Sequence, residues 1–193
     1  MSSKINICEI VTGHFRTLKD ADTRKVSKLD MFTFLMLPIG LAILFATLAN
    51  GMSKDLVSLL VNFSAILTAL LLSVLVLVYD QESKINQNKD NDTFYESKKT
   101  LLTELYYNIC YSVLCGVFLV ALCFFSSMYE SGAGGYISGY DRKINFEIYS
   151  HYIDFSFNFY RYILCPFIIF FCVHLMLNIV MIVKRMHSLL TIS

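Results

Sequence analysis

Four stretches of this chain, residues 31–50, 56–79, 105–128 and 162–183, contain no Asp, Glu, Lys or Arg. Each is long enough to cross a hydrocarbon core of about 30 Å as a helix. Apolar helices also occur in the cores of soluble bundles, but there they keep a polar face and seldom reach spanning length. The run "LLVNFSAILTALLLSVLVLVY" is apolar nearly all round. A chain of 193 residues that is 56% hydrophobic and only 16% charged fits the membrane alternative. The expected fold is therefore an all-α integral membrane protein with four transmembrane helices. Residues 1–30 form an amphipathic N-terminal segment ahead of a membrane domain at 31–193.

Basic residues orient the spans. Of the sixteen Lys and Arg residues, twelve fall in the N-terminal segment, the 80–100 connection and the tail. Lys54, Arg142, Lys143 and Arg161 are left for the opposite side, so the positive-inside bias predicts that both termini are cytoplasmic. Tyr79, Tyr106, Tyr107, Tyr129, Tyr160 and Tyr162 lie near the span ends, where an amphipathic ring sits well, and no tryptophan competes for that role. The first thirty residues are mixed and polar, so the first span is expected to be its own uncleaved targeting signal. Six cysteines do not read as a disulfide framework, because Cys8 falls on the cytoplasmic side and the other five within the spans.

The connections differ in character. "KINICEIVTGHFRTL" sets Ile7, Val11, Phe15 and Leu18 at helical spacing, which predicts an amphipathic helix. It lies on the membrane surface or a neighbouring subunit, or docks on the chain's own cytoplasmic loop, with His14 on its surface. "ANGMSKD" predicts a tight hairpin between the first two spans. "DQESKINQNKDNDTFYESKKT" reads as a mobile loop that turns helical near Thr93. In the Gly- and Tyr-rich extracytoplasmic loop, Ile144, Phe146 and Ile148 alternate with Asn145 and Glu147. That pattern fits a short β-ribbon, or a loop dipping its aromatic rings into the headgroups.

Polar residues inside the spans are the candidate functional groups. On the second span Ser58, Asn62, Ala65, Ala69 and Ser73 form one stripe, as packing surface within the subunit or as pore lining. On the third, Asn108, Ser112, Cys115 and Gly116 form a small-polar face, with Glu104 at its mouth as a possible cation-selecting charge or a first-turn helix charge. On the fourth, His174 and Asn178 lie one turn apart and need protein or water around them. Their expected partners are Ser58, Asn62, Asn108 or Ser112, in this chain or an adjacent copy. Pro38 and Pro166 each break a helical hydrogen bond, which makes a kink, a hinge or a carbonyl freed into a cavity. Metal-ligand spacing, phosphate loops and nucleophile motifs are missing, so no cofactor and no enzymatic activity are expected.

The N-terminus leading into "KLDMFTFLMLPIGLAILF", the second span ending "VLVLVYD" and the third opening "LLTELYYNICYS" together resemble the small four-span membrane components of bacterial anti-phage operons. The layout is most similar to the Hailong membrane effector, and secondly to the Kiwa membrane component. The first likeness implies a tetrameric inner-membrane channel that depolarises the cell. A nucleotide-derived ligand from a companion nucleotidyltransferase would hold it closed, and Arg16, Lys19, Arg24, Lys25 and Lys28 are the one basic cluster able to take an oligonucleotide ligand. The second likeness implies a non-conducting sensor or scaffold that recruits a cytoplasmic defence partner.

Overall fold

The computed structural model describes residues 7–17, 28–48, 51–87, 89, 93–130, 141–148 and 151–191. Among the described residues five α-helices follow one another: α1 (Ile7–Thr17), α2 (Lys28–Leu48), α3 (Lys54–Gln87), α4 (Tyr95–Glu130) and α5 (Cys165–Thr191). Between α4 and α5 the backbone forms an antiparallel ribbon, β1 (Asp141–Ile148) and β2 (His151–Asn158), with Asp141 opposite Asn158 and Ile148 opposite His151. A π-helical turn, Tyr160–Leu164, leads into α5.

Three of these helical segments are long and apolar enough to cross a membrane: Lys54–Gln87, Tyr95–Met128 and Tyr160–Thr191. The protein is membrane-embedded in character, since side chains such as Leu59, Ile66, Val76, Phe124, Phe167 and Val180 are exposed along these helices. The apolar part of α2 is shorter, Phe32–Leu48. α2 is already helical from Lys28, ahead of the charge-free run that begins at residue 31.

α4 is the central helix and packs against α3, α5 and α1, while α2 packs on α5. On α3 the residues turned inward are Val57, Leu60, Ser64, Leu71 and Val78, with Leu67 and Val74 partly buried in the same line. On α4 they are Leu102, Leu105, Ile109, Ser112, Gly116, Leu119, Cys123 and Ser126. Alternating steps of three and four give a period near 3.5, the spacing that keeps two helices in register over many turns. Near the middle, the Ser64 hydroxyl donates to the Gly116 carbonyl at 2.8 Å, so small residues bring the two backbones together. The expected hairpin of the first two spans is corrected here, for α2 and α3 are joined by a tight turn but pack on different partners.

The 80–100 connection is also more ordered than its composition indicates. α3 continues helically to Gln87 and α4 starts at Tyr95, so most of the segment expected as a mobile loop is helix. Asp80 and Lys84 form an exposed i,i+4 pair at 2.7 Å. The buried Tyr95 donates its hydroxyl to Asn86 at 3.0 Å, and Lys89 and Lys99 lie over its ring.

The opposite end is closed by Tyr160. Its hydroxyl donates to the Met52 carbonyl at 3.2 Å and accepts from Ser126 at 3.4 Å. The ring seals the α2–α3 turn, where Gly51 has φ 131° and a Cβ would come within 3.1 Å of the ring. A side chain there is therefore opposed by the backbone and by the ring together. Gly51→Ala is expected to lower stability by about 1–3 kcal/mol, read as a fall in unfolding midpoint in detergent, whereas Gly40→Ala, with open space around it, leaves the midpoint unchanged or raises it.

Candidate functional site

The site begins at Pro38. Proline has no N–H, so the carbonyl four residues earlier, on Phe34, loses its helical partner. α2 nevertheless runs unbroken through Pro38, because the imidazole of His174 on α5 takes that carbonyl: Nδ1 lies 3.2 Å from the Phe34 oxygen. A carbonyl only accepts, so Nδ1 carries the proton and Nε2 is an acceptor. The Tyr111 hydroxyl on α4 donates to it at 2.9 Å. Phe170 stacks against the same imidazole, with centroids 5.6 Å apart.

Tyr111 continues the chain of contacts to α1, its ring lying parallel to that of His14 with centroids 3.9 Å apart. His14 Nδ1 donates to Asn108 Oδ1 at 2.9 Å. The Thr17 hydroxyl lies 2.8 Å from the same oxygen and 2.7 Å from the His14 carbonyl, and its single proton serves one or the other. Arg185 closes the seam at its far end. One guanidinium nitrogen donates to Glu104 Oε2 and another to the Thr17 carbonyl, each at 2.5 Å. Thr17 ends α1, so this cation also sits at the negative end of a helix dipole.

Several expectations change. His14, read as a surface residue, is 0% exposed. α1 docks on α4 through the flank carrying Gly13, His14 and Thr17, while Ile7 and Phe15 of its apolar stripe remain 48% and 49% exposed. Gly13 is the reason, for its bare backbone lies against the Tyr107 ring where any Cβ would collide. α1 therefore rests on a long apolar helix of its own chain and not on the loop. The partners expected for His174 are replaced by Tyr111 and Phe34. Asn178 is 0% exposed, yet neither its Oδ1 nor its Nδ2 has a partner among the described residues.

The remaining candidates separate by location. Asn108 and Ser112 are fully buried among helices, and Ser112 is occupied by the Asn108 carbonyl at 2.8 Å. Glu104 is neutralised by Arg185. Ser58, Asn62, Ala65, Ala69 and Ser73 are all exposed on the single chain, with Ala65 and Ala69 lining a shallow groove beside Val117 and Val120 of α4. The face of α3 that meets α4, the line Val57, Leu60, Ser64, Leu71 and Val78, lies on roughly the opposite side of the helix. Pro38 is buried on α2, the helix that packs on α5, and Pro166 follows directly on the π-helical turn inside the continuous helical segment Tyr160–Thr191. Arg16 is exposed on α1, Lys28 opens α2, and Lys19, Arg24 and Lys25 lie outside the described residues. Among the described residues no three His, Cys, Asp or Glu side chains group as metal ligands, and all six cysteines are free.

Sequence reasoning missed Tyr111, Arg185, Thr17 and Gly13. Glu104 and Arg185 lie at equivalent depths of two antiparallel spans, and Tyr111 is three residues from Asn108; these were the available signals. No protein-family model, curated protein or solved structure matches the chain.

Two predictions follow from this geometry. His174→Ala removes the donor to the Phe34 carbonyl and the acceptor of the Tyr111 hydroxyl and is expected to cost about 2–4 kcal/mol. In a Pro38→Ala background the restored N–H takes the Phe34 carbonyl, so a double-mutant cycle in denaturant should return a coupling of about 1 kcal/mol between the two positions. Burial pushes the His14 imidazole down to about 4 from the ordinary 6.5, against the raising effect of its Asn108 bond and helped by the nearby His174 and Arg185. A state with α1 detached then binds more protons than the docked state. The contribution of His14 to α1 docking should be complete above pH 6.5 and decline as pH falls toward 4. Protease protection of α1 measured against pH checks this, and His14→Gln should flatten the profile.

Proposed function

We propose that the chain is one subunit of a homo-oligomeric ion channel, with the small-polar face of α3 turned to the conduction pathway. One observation carries the reading. Ser58, Asn62, Ala65, Ala69 and Ser73 are all exposed on the single chain, along a helix otherwise covered in Leu and Val. An Asn amide facing hydrocarbon loses several kcal/mol of hydrogen bonding, so protein or water must cover it. A second copy packed against Ala65 and Ala69 supplies protein, and an axis lined by Ser58, Asn62 and Ser73 supplies water. The candidate polar residues of α4 and α5, Asn108, Ser112, His174 and Asn178, are buried inside the subunit, which favours α3 over α4 as the lining helix.

On this reading α2 is the fourth span. Four spans return the chain to its starting side, and the distribution of Lys and Arg puts both termini in the cytoplasm of a bacterial inner-membrane protein. The oligomer is a tetramer, and the protein acts as an effector of anti-phage defence, depolarising the membrane when released from a nucleotide-derived ligand. Arg16, together with Lys19, Arg24, Lys25 and Lys28, is the surface for that ligand, and catalysis plays no part.

Ion flux through proteoliposomes tests the lining helix. Asn62→Leu is expected to reduce flux by at least about tenfold, because a ring of polar groups is replaced by apolar ones that dewet the pathway. Chemical crosslinking should show the oligomer intact. Unchanged flux in an intact oligomer would remove α3 from the pathway, and absence of flux from the parent with every candidate ligand removed would favour the non-conducting sensor.

A further inference from the structure

The contacts Glu104–Arg185 and Tyr111–His174 tie α4 to α5 at two levels, and both helices carry an asparagine between them. Asn108 lies one turn from Glu104 and one turn from Tyr111, on the same face. Asn178 lies one turn from His174 and two from Arg185, again on the same face. α1 spans the same interval, since His14 stacks on Tyr111 and bonds Asn108 while the Thr17 carbonyl binds Arg185. Four polar atoms within these two brackets have no partner among the described residues: His14 Nε2, Asn108 Nδ2, and both Nδ2 and Oδ1 of Asn178.

All three residues are 0% exposed, so neither bulk solvent nor an adjacent subunit can reach these atoms. Leaving them bare is costly, and buried polar groups are as a rule satisfied. Turning the Asn108 amide over does not solve the problem, because it exchanges one orphaned atom for another and leaves Asn178 as it was. Whatever completes them is enclosed between α1, α4 and α5.

The kind of atom identifies the guest. With Nδ1 protonated, His14 Nε2 is an acceptor; Asn108 Nδ2 and Asn178 Nδ2 are donors; Asn178 Oδ1 is an acceptor. A bare cation is repelled by the two N–H donors, and an anion by the two acceptors. Water both donates and accepts, and a buried water needs two to four such partners. We propose that His14, Asn108 and Asn178 enclose one internal hydration site at the joint of α1, α4 and α5, occupied by water and closed by α1. The site stands apart from the pathway proposed along α3 and does not depend on it. It explains how a polar flank of α1 docks at a level where the neighbouring helices are apolar.

Water-edited NMR of the full chain in lipid nanodiscs, labelled with 15N at asparagine and histidine, tests the assignment. The Asn108 and Asn178 side-chain amides, although fully buried, should receive magnetisation from water, and Asn178→Leu should cut the transfer to Asn108 several-fold by removing two of the partners. Assigned amide signals with no transfer in the parent would overturn the site, because they would be dry. Transfer to Asn108 that is undiminished in a folded Asn178→Leu variant would overturn the single shared site. If that variant does not fold, Asn178→Val provides the same comparison with less bulk, and a fully packed, transfer-free Asn108 in it supports the proposal.

Discussion

A backbone carbonyl without its helical partner organises this molecule. Pro38 releases the carbonyl of Phe34, and in a low-dielectric interior that oxygen has to be met by a donor from elsewhere. His174 meets it, and doing so fixes which imidazole nitrogen carries the proton. The other nitrogen is then obliged to accept, which Tyr111 satisfies. α2, α5 and α4 are thereby linked through one ring. The Tyr111 face in turn supports His14, so the position of α1 depends on the same proline three helices away.

The way α1 docks follows from steric access more than from hydrophobicity. Its apolar stripe would be the natural contact surface in water, yet in a membrane protein the surroundings of α4 are themselves apolar, and a Leu or Phe gains little by exchanging lipid for protein. What distinguishes one flank from another is then close approach and hydrogen bonding. Gly13 permits the first against Tyr107, and His14 and Thr17 provide the second with Asn108. Arg185 adds a charge-assisted contact to the Thr17 carbonyl at the end of α1 while neutralising Glu104. The result is a polar joint inside an apolar bundle, fastened at both ends and with partly unmatched amides between them.

The same change of solvent separates α3 from the other helices. Its Leu, Val and Ser64 face meets α4 at a coiled-coil period, and the stripe of small and polar residues is left pointing outward. In a soluble protein such a stripe would be unremarkable surface. Beside Leu59, Ile66 and Val76 on an apolar helix of spanning length it is an outward face that lipid does not suit.

Much of this architecture was legible in the chain itself. Charge-free runs of spanning length determine apolar membrane helices, because backbone groups in hydrocarbon must pair locally and helices alone do so within one segment. The presence of His174, Asn178 and Pro38 inside those runs marked where polar matching had to occur. Which groups do the matching was decided only by tertiary structure. The Phe34 carbonyl is invisible in a side-chain pattern, Tyr111 looks like any aromatic residue of an apolar run, and the helical moment of α1 points to Ile7 and Phe15 when the contact is made by Gly13 and His14. Periodicity records which residues share a face, but the partner across that face depends on how helices distant in sequence are set side by side, and on the single glycine that lets two of them touch.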